Sequence, residues 1–255
     1  MSWTNEIYAV YDLALNIEAN GDKKAILPIS HSTQNAQIEL TITESGNFAD
    51  ACKVEKSDAE TIIPVTEDSG SRSSGICPMP FADKLVYIAG DYSEFAEGKR
   101  ADNSEYFSAY IQQLRKWNES DYSHKAVNAV YKYLSKGKLM NDLVCKGVLL
   151  INESTGKLLE KTKIAGIPQE DSFVRFRIQY NLDSSDISCA ETWKDKTLYD
   201  SFIKFNSLSI GNIQLCYAAG EELPVTYKHP AKIRFCPLWR TRARKKRRRT
   251  QSAKG

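Results

Sequence analysis

The spacing of apolar side chains changes several times along the chain, and each change marks an element. Residues 6 to 19 place Ile7, Val10, Tyr11, Ala14 and Ile17 at helical spacing, and Asn20-Gly21 stops the run as a helix C-terminus does. From Gln37 to Thr43 the period falls to two, with Ile38, Leu40 and Ile42 on one face and Glu39 and Thr41 on the other. Glu44-Ser45-Gly46-Asn47 then turns the chain back into Phe48 to Val54, as a hairpin would. Residues 66 to 80 are rich in Ser, Gly, Asp and Pro and read as a long loop. It leads into Leu85-Val86-Tyr87-Ile88-Ala89, an apolar run expected to be a buried strand. Phe107, Tyr110, Ile111 and Leu114 share one face of a helix, and Val127, Val130, Tyr131 and Leu134 share a face of a second that ends near Gly137. Lys146 to Ile151 and Phe173 to Tyr180 are expected strands with a turn at Ser154-Thr155-Gly156 between them, and Asp195 to Phe205 an expected helix. Together these predict an α+β fold of mixed sheets, hairpins and amphipathic helices over residues 1–233, followed by an irregular basic tail over 234–255.

Composition narrows the class. With 42% hydrophobic residues in 255, the chain can build a substantial core. No run of 18 apolar residues is present, and the N-terminus has no basic stretch leading into an apolar one. The six cysteines form no CxxC pair, which argues against a zinc site or a disulfide scaffold and fits a reducing, cytoplasmic setting. The net charge of +3 hides an asymmetry. Residues 234–255 hold ten of the 35 basic side chains and no acid, leaving 25 against 32 in the remainder, a net charge of −7. A body so charged is no general polyanion binder, so any nucleic-acid contact it makes must be local.

The signatures of common enzymes are missing. Gly98-Lys99, Gly137-Lys138 and Gly156-Lys157 all lack the flanking glycine and hydroxyl of a phosphate-cradling loop, and no serine lies midway between glycines as a nucleophile elbow requires. His31, His124 and His229 lie far apart and form no HxH or HxxxH arrangement, so neither metal nor cofactor is expected. His124, beside Ser123 at a helix start, reads as a polar first-turn residue rather than a base.

Three places could touch nucleic acid. Period two in Phe173 to Tyr180 puts Arg175 and Arg177 on one face, opposite Val174, Phe176 and Ile178, where their planar forks suit phosphate or guanine; the alternative is a solvated face of a half-buried strand. The second place is Arg72-Ser73-Ser74-Gly75, whose small residues would let backbone amides approach a phosphate; the alternative is a plain surface loop. The third is the basic group Lys228, His229, Lys232 and Arg234 around Pro230.

These places, in this order, resemble features of the large subunit of type I-C CRISPR surveillance complexes, the RNA-guided DNA-binding assemblies called Cascade. The resemblance runs from residue 6 to about 233. It takes in the Ile7 to Leu15 helix, the Ile38 to Phe48 hairpin, Arg72-x-x-Gly75-Ile76-x-Pro78, Asp83-Lys84-x-x-Tyr87-x-x-Gly90, Phe173-Val174-x-Phe176, Cys216-Tyr217-x-x-Gly220-Glu221, Pro224 and His229-Pro230-x-x-Ile233. It implies a non-catalytic subunit that helps recognise the protospacer-adjacent motif in double-stranded DNA and recruits a helicase-nuclease. CRISPR RNA, target DNA and other complex subunits are the implied partners, with no membrane. Family members continue into further strands and a helical bundle, so the tail reads as the mark of a truncated or frameshifted member, the rival being a purposeful basic arm or nuclear localisation signal. A metal-independent CRISPR RNA endonuclease using His124 or His229 is the enzymatic alternative.

Overall fold

A computed structural model describes residues 27–70, 72, 75–98, 101–181, 189–209, 213–215 and 220–224, together with Glu6, Ala9, Val10 and Leu13, which are helical. Most of the expected N-terminal helix lies outside the described residues, as do Ser73, Ser74, Lys228, His229, Lys232 and the whole tail.

The fold is α+β. Its centre is a three-stranded sheet in the order β3-β2-β7, built from β2 (Ile38–Thr43), β3 (Phe48–Lys53) and β7 (Val174–Gln179). β2 and β3 form the expected antiparallel hairpin, with a register shift at Thr41/Ile42. Its turn closes against a helix. A Cβ at Gly46, where φ is +79°, would lie 2.6 Å from the Lys132 Cβ, so only glycine fits there. β7 lies parallel to β2 in strict register, Ile38 opposite Val174 and Ile42 opposite Ile178. Ile38, Leu40, Ile42, Val174, Phe176 and Ile178 are fully buried together.

Helices cover that apolar face. α4 (Ser104–Asn118) contributes Tyr110, Leu114 and Trp117 to the core, and α5 (Lys125–Leu134) contributes Val127, Val130 and Leu134. Phe81 joins sheet to helix, its ring edge-on to both Phe176 and Trp117. α7 (Lys196–Ser209) adds Phe202, which packs on Trp117, and Asp195 caps it by accepting from the Thr197 and Leu198 amides. β1 (His31–Asn35) pairs antiparallel with β4 (Glu60–Pro64) beside this core. Short pieces complete it: α1 (Glu67–Gly70), α2 (Leu85–Ile88), α3 (Tyr92–Phe95), α6 (Leu139–Cys145) and the two-residue pair β5 (Lys163–Ile164) and β6 (Ile167–Pro168). A last hairpin joins β8 (Ile213–Leu215) to β9 (Glu222–Pro224). No helix among the described residues is long and apolar enough to cross a membrane.

Two expectations are corrected. Leu85 to Ala89 is not a strand but the single helical turn α2, with all of Leu85 to Ala89 buried. Complete burial removes any polar face, so five consecutive apolar residues fit a buried turn as well as a buried strand. Lys146 to Ile151 is not a strand either. It follows α6, which stops where Gly147 adopts φ +75° and Val148 donates back to the Leu143 carbonyl, and only Ile151 bridges, to Leu158. The loop reading of residues 66–80 holds among the described residues apart from the short α1, with Ser71, Ser73 and Ser74 outside them.

Candidate nucleic-acid interface

Arg72 opens the loop that the sequence nominated, and its guanidinium points inward. Nη1 and Nη2 donate to the two carboxylate oxygens of Asp83 at 3.1 and 3.2 Å, Nη1 also donates to the Cys77 carbonyl at 3.0 Å, and the group lies 4.6 Å above the Tyr87 ring. Asp83 is fully buried and also accepts from the Met79 amide at 2.7 Å and the Lys84 amide at 2.8 Å. Burial pushes its carboxyl above the ordinary value, against the opposing pull of Arg72 and the amides. Burial by itself would lower the Arg72 pKa, but Asp83 and Tyr87 together outweigh it and the guanidinium is held more firmly protonated. The bracket ties residue 72 to residue 83, with Met79 to Ala82 buried beneath it and Ile76 to Pro78 half-buried. Gly75 is exposed at φ +79°, with nothing within 4 Å of where a Cβ would stand.

This geometry explains the spacing of the Arg72-to-Gly90 motif. Arg72, Asp83 and Tyr87 meet in one bracket; Lys84 pairs with Asp171 at 3.0 Å; a Cβ on Gly90 would stand 3.1 Å from both Gly137 and the Phe107 ring.

Arg175 and Arg177 do share the sheet face away from the core, as the period predicts. Their partners, however, close them off. Glu39 stands opposite Arg175 in the parallel register, and its Oε2 accepts from Arg175 Nε at 2.9 Å and Nη2 at 2.7 Å. Arg175 donates further to the Asp58 carbonyl at 2.7 Å and carboxylate at 2.6 Å, while the Trp193 ring lies 3.8 Å from its guanidinium. Arg177 donates to Glu39 Oε1 at 2.5 Å and to Glu191 at 3.0 Å. Arg175 is 2% exposed, so it forms neither an open phosphate track nor a solvated face; Arg177 retains 34% of its side-chain exposure. The hydrogen bond from Arg175 pulls the Asp58 carboxyl below its ordinary value, and Lys194, ahead of Arg177, does the same for Glu191.

The described histidines have structural partners. His124 Nδ1 accepts from the Ala126 amide at 3.1 Å, making it the N-cap of α5, and Nε2 lies 3.0 Å from the Thr197 hydroxyl, which donates on to Asp195. Burial lowers its pKa, partly offset by Asp195. His31 donates through Nδ1 to the Ile29 carbonyl and packs edge-on to Tyr199 and Phe202, with Nε2 buried and unpartnered. Among the described residues no group of three or more His, Cys, Asp or Glu side chains could hold a metal ion.

Sequence reading missed the carboxylates that make these brackets. Asp83 follows Met79-Pro80-Phe81-Ala82, and an acid set against an apolar run is a signal that it could be buried. Glu39 gave a weaker signal, because its pairing with Arg175 crosses 136 residues of sequence. Asp91, which caps α6 from outside by accepting from the Met140 and Asn141 amides at 3.0 Å, gave none.

Comparison with known proteins bears on the whole of this body. The family model described as CRISPR-associated protein (Cas_Csd1) matches residues 9–237, spanning the Arg72–Asp83 bracket, the arginine row and both capped helices. A search of curated proteins finds no match. With nine-tenths of its length inside that match, the chain belongs to the Cas_Csd1 family of CRISPR-associated proteins.

Proposed function

We propose that this chain is a non-catalytic subunit of an RNA-guided CRISPR complex, of the type I-C kind its motifs resemble, and that it contributes to recognition of the protospacer-adjacent motif and to target DNA binding. CRISPR RNA, target double-stranded DNA, other complex subunits and, for the full-length family, a recruited helicase-nuclease are its partners, in the cytoplasm. In such a division of labour base pairing reads the target while protein reads the short motif and the backbone. The observation that carries the loop assignment is the Asp83 bracket: it ties Arg72 to the buried Asp83 and to the Cys77 carbonyl, and Gly75, between these anchors, is exposed. A short polar loop on a rigid base can enter a groove that a packed sheet face cannot.

The test is a gel shift by the reconstituted complex on duplexes with cognate and altered motifs. Ser73→Ala with Ser74→Ala should lower the discrimination between them by about 1–3 kcal/mol if a base-edge contact is lost. Arg72 is left unchanged, because its loss would loosen the base of the loop. Equal weakening on every duplex would assign the loop to phosphate positioning. A discrete product from CRISPR repeat RNA, abolished by a histidine substitution, would overturn the non-catalytic reading.

A further inference from the structure

A second charged surface lies apart from the Arg72 loop and the arginine row. Between Asp121 and Asp142 the chain carries Lys125, Lys132, Lys136 and Lys138 and no acid, inside a body whose overall balance is negative. All four lysines are exposed. In α5, Lys125, Asn128 and Lys132 fall three and seven residues apart and so share one face, opposite the buried Val127, Val130 and Leu134. Lys125 and Lys132 stand about 10 Å apart along the axis, at 1.5 Å per residue.

The hairpin turn β2–β3 lies against this face and makes one wall of a recess. That recess, about 390 Å³, is lined by Glu44, Ser123, His124, Lys125, Asn128 and Lys132. Glu44 is its one carboxylate, and its Oε2 accepts from the Asn181 amide at 3.3 Å. Lys136 donates to the Gly46 carbonyl at 2.6 Å and the Asn47 amide oxygen at 2.7 Å, both neutral, so its position is fixed while its charge is not cancelled by either.

We infer that the α5 lysine face, with its recess against the hairpin turn, is a binding surface for the phosphodiester backbone of nucleic acid. Ammonium groups on flexible stems act as point charges on phosphates and lack the fixed fork that reads a base edge, so the contact is sequence-independent. The recess has hydroxyl, amide and ammonium donors and no large apolar side chain. That disfavours an acidic protein partner, which would need an apolar anchor at the centre of its interface. The choice of ligand rests on the nucleic-acid reading above, but the surface is independent of the Arg72 loop.

The experiment uses the full chain, with anisotropy of labelled mixed-sequence duplex DNA and of single-stranded DNA measured across a salt series. Lys132→Gln should make the slope of log affinity against log salt shallower by about 0.9 on duplex, at one phosphate contact, or by about 0.7 on single strands. A change confined to one form identifies the form the surface holds. The tail contributes equally to parent and variant, so the difference isolates the lysine face. Lys132→Arg should keep the parental slope. An unchanged slope in the glutamine variant, a loss that arginine does not restore, or displacement by a polyglutamate peptide but not by excess unlabelled DNA would each overturn the proposal. Weakening that is equal on cognate and altered motifs belongs to this surface; altered discrimination belongs to the loop, so either can fail alone.

Discussion

Two sets of basic residues behave in opposite ways in this molecule. Arg72 and Arg175, which by residue type and spacing looked like nucleic-acid contacts, point inward onto buried carboxylates and aromatic rings. The lysines of α5 and its C-terminal extension, which drew no attention as a motif, stay at the surface. The physical difference lies in the head groups. A guanidinium can be stripped of water when its planar donors meet two carboxylate oxygens and its face meets a ring, whereas an ammonium holds its hydration shell. Arginine at regular spacing in a strand is thus as good a sign of a brace as of an interface.

The comparison breaks most visibly where a brace loses one member. Arg72→Ala leaves Asp83 buried with only the backbone amides as partners and should destabilise the fold by about 3 kcal/mol, read as a lower urea midpoint. The penalty should depend on pH with a definite sign. Burial already raises the Asp83 pKa in the fold, and removing Arg72 raises it further. A group that binds its proton more readily folded than unfolded favours the fold on acidification, so the deficit of the variant should shrink as pH falls through that raised value. A deficit that stays constant with pH would mean Asp83 does not carry it.

Arg177→Ala is the intermediate case. A third of its side chain remains in contact with solvent and Glu39 keeps Arg175, so a loss of about 1 kcal/mol is expected in the same denaturation series. A smaller pH effect belongs to His31. Burial lowers its pKa in the fold, so the unfolded chain takes the proton first, and stability present above the unfolded value of about 6.5 is lost as pH drops below it. His31→Phe should flatten that part of the pH–stability curve. Smallest of all, Lys132→Gln should move stability by no more than about 0.5 kcal/mol, because its side chain is exposed.

How far the sequence carried depended on whether periodicity had room to show itself. The hairpin of Ile38 to Lys53, the two long helices α4 and α5, the strand of Val174 to Gln179 and the capped helix after Asp195 were all legible, since each repeats its period several times or carries a turn or cap signal. α2 is four residues and wholly buried, and α6 is seven; neither is long enough to set a helical repeat apart from an apolar run. Pairing across long separations was not legible at all. That β7 lies beside β2 is what puts Arg175 opposite Glu39, and nothing local in either strand announces it. The face of the arginine row could therefore be read, and its occupancy could not.

The most direct test of the account is the urea unfolding of Arg175→Ala, followed alongside DNA binding by the assembled complex. Removing Arg175 leaves Glu39 beside the single guanidinium of Arg177 and takes the nearer of two guanidinium groups off the face of Trp193, Arg177 remaining at 5.4 Å. The account predicts a large fall in the midpoint, corresponding to about 3–5 kcal/mol, with binding lost only to the extent that the fold is lost. An unchanged midpoint together with lost DNA binding would contradict it and return the arginine row to the interface.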